Sequence, residues 1–274
     1  MALPSDQYFS NSIVGMMQAG ADVDIYATHS TPKFPLGQGF TRADGNVYRY
    51  ASFDGAVTAG RLVAPVVANA VLTVNDNNIK HPDSATIVEA ERPIKPGQVG
   101  SHYIQITLSG IAANKYEGGY LITNNGSGRN YTYRIVSNTA TGNPVAGDLY
   151  IQLYDRLQGE VSANSDIIIC PSMFNSLDVA STGTNWGVAG VSTATTTATL
   201  VYGWICTKGV VGCLQDGAWT GGDQLALSPD TNGSATTYGN GTTSVAELTG
   251  VQVVGYALQN GGDTEQGVMY LQVE

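Results

Sequence analysis

Tyr103-Ile104-Gln105-Ile106-Thr107-Leu108 and Leu149-Tyr150-Ile151-Gln152-Leu153-Tyr154 decide the fold class. In both runs aliphatic residues alternate with polar or amphipathic ones, the period of a strand with one face on a core and a Tyr/Gln/Thr face outward. Between them lie Gly118-Gly119-Tyr120-Leu121-Ile122-Thr123, the turn signal Asn124-Asn125-Gly126-Ser127-Gly128, and Tyr131-Thr132-Tyr133-Arg134-Ile135-Val136. Two β-prone runs flanking Asn-Gly read as a hairpin, because Asn and Gly tolerate the positive φ of tight turns.

Outward from this stretch the composition agrees. Only 12% of the 274 residues are charged and 34 are Gly, which favours short strands and many turns over helices rich in Glu, Lys and Leu. The expectation is an all-β protein built of β-sandwich or β-barrel modules with short strands, Gly-rich turns and an N-terminal extended arm. A small residue and a Gly precede a polar or charged residue and a core Leu three times, in Ala59-Gly60-Arg61-Leu62, Ala146-Gly147-Asp148-Leu149 and Gly221-Gly222-Asp223-Gln224-Leu225. This phrase predicts a tight turn feeding a strand. Pro65, Pro82, Pro93 and Pro96 point residues 64–98 toward edge strands and connections. The Gly/Ser/Thr/Ala-rich stretch 181–199 is the expected domain boundary. The reading is thus an arm over 1–35, a β-rich domain over 36–180 and a C-terminal β-rich domain over 181–274.

The arm carries Tyr8, Phe9, Ile13, Met16, Met17 and Phe34 on a segment broken by Gly15, Gly20, Pro32 and Pro35. A helical turn after Ser5 or Asp6 would put several of them on one face. Such a segment cannot build its own core, so these six are the candidate subunit or partner contacts.

Charge and motifs exclude several functions. A net charge of −10 argues against a nucleic-acid partner, whose phosphates need clustered Lys and Arg. No run approaches a membrane span, and Met1–Asp6 has neither the basic region nor the apolar core of a signal peptide. Cys170, Cys206 and Cys213 form no CxxC pair and read as small buried hydrophobes. A hairpin between Cys206 and Cys213 would make a bond sterically feasible, but nothing indicates an oxidising compartment. The chain has no Gly-Lys-Ser/Thr loop, no GxGxxG opening a helix and no GxSxG elbow. His29, His81 and His102 are scattered, outside any HExxH. Glu89 with Glu91, and Asp22 with Asp24, share strand faces but read as solvated surface. Asp76-Asn77-Asn78 and Gly261-Gly262-Asp263 lack Ca²⁺-loop spacing. No catalytic residue, metal or cofactor is expected.

Three segments carry a resemblance. Asn114-Lys115-Tyr116-Glu117-Gly118-Gly119-Tyr120, Tyr133-Arg134-Ile135-Val136-Ser137-Asn138 and Ile151-Gln152-Leu153-Tyr154-Asp155-Arg156-Leu157 resemble the middle of virion structural proteins of tailed phages of marine bacteria and cyanobacteria, in particular the head decoration (cement) proteins. Gly45–Ala51, Gly203–Gly209 and Val253–Val273 carry similar cues. The resemblance implies a non-enzymatic protein made in the host cytoplasm that sits on the capsid surface, with the major capsid protein and two further copies of itself as partners. The alternative is a tail-fibre, tailspike or head-fibre protein whose exposed Tyr and Trp stack on a host-surface glycan; an enzyme-class reading is a polysaccharide depolymerase. No functional residue transfers with the resemblance.

Overall fold

A computed structural model describes residues 23–66, 72–74, 79, 94–141, 147–181, 187–197, 200–238 and 252–274. The protein is all-β, with no helix among these residues. It divides into two compact units: one joins the chain up to Val67 with Ser176–Glu274, the other is Ala68–Asn175.

The discontinuous unit contains β1 (Gly39–Thr41), β2 (Val47–Phe53), β3 (Leu62–Pro65), β10 (Leu177–Val179), β11 (Gly190–Ser192), β12 (Val201–Leu214), β13 (Gln224–Leu227), β14 (Ala235–Thr237), β15 (Val253–Ala257) and β16 (Gln266–Gln272). Its sheet runs β1-β2-β10-β3-β11-β12-β16-β15-β13-β14, and an additional β2–β12 pairing closes β2, β10, β3, β11 and β12 into a barrel. Closure needs the length of β12. Val201–Lys208 pairs with β2, Ile205 and Cys206 pair with β11, and Lys208–Leu214 pairs with β16. The barrel interior is aromatic: Trp204 and Tyr50 are buried and meet edge to face at 5.2 Å, with Phe40 5.9 Å from Trp204. Edges are short, since β1 and β14 have three residues each, which limits strand addition.

The inserted unit holds β4 (Leu72–Val74), β5 (Tyr103–Leu108), β6 (Tyr120–Asn125), β7 (Thr132–Asn138), β8 (Gly147–Leu153) and β9 (Asp166–Cys170) in an open sheet ordered β4-β9-β6-β7-β8-β5. The alternation in β8 is as expected, with Leu149, Ile151 and Leu153 fully buried and Asp148 exposed. In β5 it is not: Gln105, expected outward, is 1% exposed. The β6–β7 hairpin forms as predicted, with Ile122 opposite Thr132. Gly126 turns at φ 72°, and a Cβ there would lie 1.6 Å from the Asn164 carbonyl oxygen. That approach excludes every other residue.

Three expectations change. The boundary near 181 does not exist, because 68–175 is an insertion between neighbouring antiparallel strands. Leu177 of β10 pairs with Pro65 of β3, and Val66 N–H donates to Ser176 O at 3.1 Å. Residues 36–66 and 176–180 therefore belong with the C-terminal part. The Thr-rich stretch contributes β11, buried within the ring. Proline did not make β3 an edge: Pro65 is its last residue, and β3 lies between β10 and β11. Finally, the described part of the arm packs on its own unit. His29 and Tyr202 exchange two backbone hydrogen bonds of 2.8 Å, and Ile25 is 4% exposed. A segment too broken to form an element still docks by backbone pairing and a few apolar anchors.

The recurring Gly phrase divides. Leu62, Leu149 and Leu225 are all fully buried. Gly60 (φ 78°) and Gly222 (φ 94°) make the expected turn, whereas Gly147 already lies in β8.

Candidate functional site

The described residues present an exposed sheet face across the second half of β12, β16, β15, β13 and the end of β14. Cross-strand register builds it, because directly opposed residues of antiparallel strands share a face. Val210 opposes Tyr270, Tyr270 opposes Tyr256, and Tyr256 opposes Gln224. Tyr238 N–H donates to the Gln224 carbonyl at 2.8 Å, extending the row by one strand. At the strand spacing this row is about 19 Å wide. Beside it run Lys208 with Gln272 and Gly212 with Val268, next to which Leu258 N–H donates to Val268 O at 2.9 Å. Val210, Tyr238, Val253, Tyr256 and Leu258 are each exposed.

Two local devices set the row. The rings of Tyr256 and Tyr270 stack at 5.3 Å and 16°, an offset arrangement that fixes both rings. Along β15 the pairing with β13 shifts between Leu225 and Ala226, and the burial pattern runs exposed, buried, half-buried, exposed, buried from Val253 to Ala257. The bulge turns Val253 and Tyr256, three positions apart, both to solvent. Gly255 permits it, since a Cβ would stand 2.0 Å from Tyr270 O. At the other end, Asn46 extends the β2 ladder with its side chain. Its Oδ1 accepts from Val210 N–H (2.9 Å) and its Nδ2 donates to Val210 O (3.1 Å). Gly209 leaves room for it, as a Cβ there would be 2.0 Å from Asn46 Oδ1. In these three rows Lys208 is the one charged residue, so the face suits a broad uncharged contact.

Of the predicted contacts, Tyr8, Phe9, Ile13, Met16 and Met17 lie outside the described residues. Phe34 is half-buried against its own unit, 5.2 Å from the Tyr50 ring and 5.3 Å from Trp204.

The segments that carried the resemblance are structural. Asn138 joins them: its Oδ1 accepts from Tyr116 N–H (2.8 Å), and its Nδ2 donates to Ala112 O (2.9 Å) and Thr139 O (2.8 Å). Gly119 crosses close to β9, where a Cβ would meet Cys170 O at 2.3 Å. In this loop burial pushes the Glu117 carboxyl above its ordinary range.

Side chains considered for chemistry occupy scaffold roles. Asp24 Oδ1 accepts from Tyr26 N–H and Asp263 Oδ1 from Gly217 N–H, each at 2.9 Å. His29 bridges to β12, and a His102 ring nitrogen lies 3.3 Å from Leu153 O. His81, Asp22, Glu89, Glu91 and Asp76-Asn77-Asn78 lie outside the described residues, among which no group of three His, Cys, Asp or Glu converges.

Sequence reasoning found the strands of this face but not the face. The alternation Val268, Tyr270, Gln272 was available in the sequence, whereas the pairing with Val210 and Tyr256 depends on non-local register. No protein family, curated protein or solved structure matches the chain.

Proposed function

We propose that the chain is a non-enzymatic virion structural protein that decorates and stabilises a tailed-phage capsid from outside, as a homotrimer contacting the major capsid protein. The observation that carries the reading is the uncharged Val210–Tyr270–Tyr256–Gln224–Tyr238 row across five paired strands. An uncharged aromatic and amide surface of this width suits a broad, permanent protein contact better than turnover of a small substrate. The resembling segments support it as scaffold. The test mixes purified protein with particles lacking it. Expected are saturable binding, slower heat disruption of the heads, and density on threefold or quasi-threefold axes in a map. Binding to tails alone, or to nothing, overturns the reading.

The tyrosine row also favours a second reading, a fibre protein taking a host glycan, because tyrosine rings flanked by the Gln224 carboxamide can stack on sugar rings and bond their hydroxyls. Glycan-array binding lost in Tyr256→Ala, with no binding to heads, would favour it over decoration.

A further inference from the structure

Asn-Gly pairs occur at 125–126, 232–233, 240–241 and 260–261, and the structure describes three of them. At such a pair the Gly nitrogen can lose its proton to solvent base and form a bond to the Asn Cγ. The carboxamide nitrogen then leaves as ammonia, and water opens the resulting succinimide to Asp or isoaspartate. No oxidant or reductant takes part. The step requires a Gly N–H not committed to a backbone carbonyl elsewhere and a carboxamide not held away from that nitrogen.

Two pairs fail these conditions. Gly233 N–H donates to Ala180 O at 2.7 Å. Gly261 N–H donates to Trp219 O at 3.2 Å, and the Asn260 Oδ1 is held by Gly221 N–H at 2.8 Å. The pair in the β6–β7 hairpin differs. Gly126 N–H donates to the Asn125 Oδ1 itself, 2.8 Å away, which holds the carboxamide beside the nitrogen that attacks its Cγ. Both residues are exposed. The Asn125 Nδ2 has only a weak contact, 3.4 Å, to Asp166 Oδ2.

We propose that Asn125 is a site of spontaneous deamidation, converting ahead of the other described Asn-Gly pairs in the folded protein. The product acts on the hairpin. Asn125 ends β6 opposite Asp166, where the register already shifts. A carboxylate at 125 sets like charges directly across the ladder, which is destabilising. Isoaspartate also lengthens the backbone by one methylene beside Gly126, which packs hard on Asn164 O. Deamidation therefore loosens the turn end of β6 and its pairing with β9 as the protein ages.

The test incubates full-length protein in mildly alkaline buffer, folded or in denaturant, and maps peptides by mass with separation of Asp and isoaspartate. In denaturant the Asn-Gly peptides are expected to convert at comparable rates. In the folded protein the Asn125 peptide should convert several-fold faster than those of Asn232 and Asn260. Asn125→Gln should remove the first acidic species seen on ion exchange. A folded-state ranking in which Asn232 or Asn260 leads or equals Asn125, or an Asn125 peptide that persists while the denatured control converts, overturns the proposal.

Discussion

Arg49 on β2 meets Glu274, two residues beyond β16, through a forked contact. Nη2 lies 2.8 Å and Nε 3.0 Å from Oε2, while Thr207 Oγ1 donates to Oε1 at 2.6 Å. The pair fastens the end of β16 to β2 and to the bulge of β12. Both side chains are about a third exposed, so solvent screens the charge term, but the buried Thr207 hydroxyl loses an acceptor if Glu274 goes. Glu274→Ala is expected to lower unfolding stability by about 1 kcal/mol, with Glu274→Gln losing less. High salt should narrow the difference between wild type and Glu274→Gln. Denaturant unfolding measures both; a salt-independent difference would contradict the ionic part.

The Glu117 carboxyl, raised by burial from 4.5, gives a pH dependence of definite sign. Between the unfolded value and the higher folded one the native state binds more proton, so stability falls as pH rises through that window. Below the unfolded value both states are protonated and the penalty is absent. Glu117→Gln should therefore be more stable than wild type at neutral pH and equal to it in acid. Parallel urea titrations across the acid range check this, and a variant less stable at neutral pH would show that the carboxylate has a favourable partner.

Much of the fold was legible where the signal was local. The alternation in β8, the β6–β7 hairpin and the terminal strand all come from neighbours in sequence. What local pattern cannot express is that β3 waits for β10 across more than a hundred residues, or that β11 and β2 flank one strand. The Thr-rich stretch looked like a boundary because its burial comes from barrel closure rather than from its own hydrophobicity. The candidate face was hidden for a related reason. Tyr256 is exposed and Tyr270 half-buried, but only register makes them a row.

Cysteine accessibility should separate the three thiols. Cys206 and Cys213 do not oppose each other across a hairpin. Both lie on β12, seven positions and so about 23 Å apart, and all three cysteines are free. Burial pushes Cys206 up to about 11 and Cys213 up to about 12, while Cys170 is raised and only half-buried. Thiolate is the reacting species. Folded protein with a thiol reagent near neutral pH should react at Cys170 first, with Cys206 and Cys213 released only on unfolding. A fast second thiol would indicate that β12 opens locally.

Leu200 holds a positive φ of 58° immediately before β12 while leaving 64% of its surface exposed. A left-handed conformation costs an L-residue roughly 1–2 kcal/mol, and this side chain recovers little by packing. Leu200→Gly should relieve that strain and, after Gly's own entropy cost, stabilise by about 0.5 kcal/mol. Leu200→Val should destabilise, as a β-branched side chain fits this region worst. Thermal unfolding of the two variants tests the backbone argument: a loss in the Gly variant would mean that the Leu side chain contributes contacts worth more than the strain.

The adjacency of β3 and β10 makes the insertion separable. Val66 N–H and Ser176 O are 3.1 Å apart, so a short Gly-containing turn can replace residues 68–175 without stretching either strand. Each unit has its own buried cluster, Trp204, Tyr50 and Leu62 in one and Ile104, Ile151 and Ile169 in the other. The shortened protein is expected to unfold cooperatively, to keep Trp204 and Trp219 emission blue-shifted, and to retain two slow thiols, Cys170 having left with the insertion. Red-shifted emission with fast labelling of Cys206 and Cys213 would show that the barrel needs the inserted unit to close.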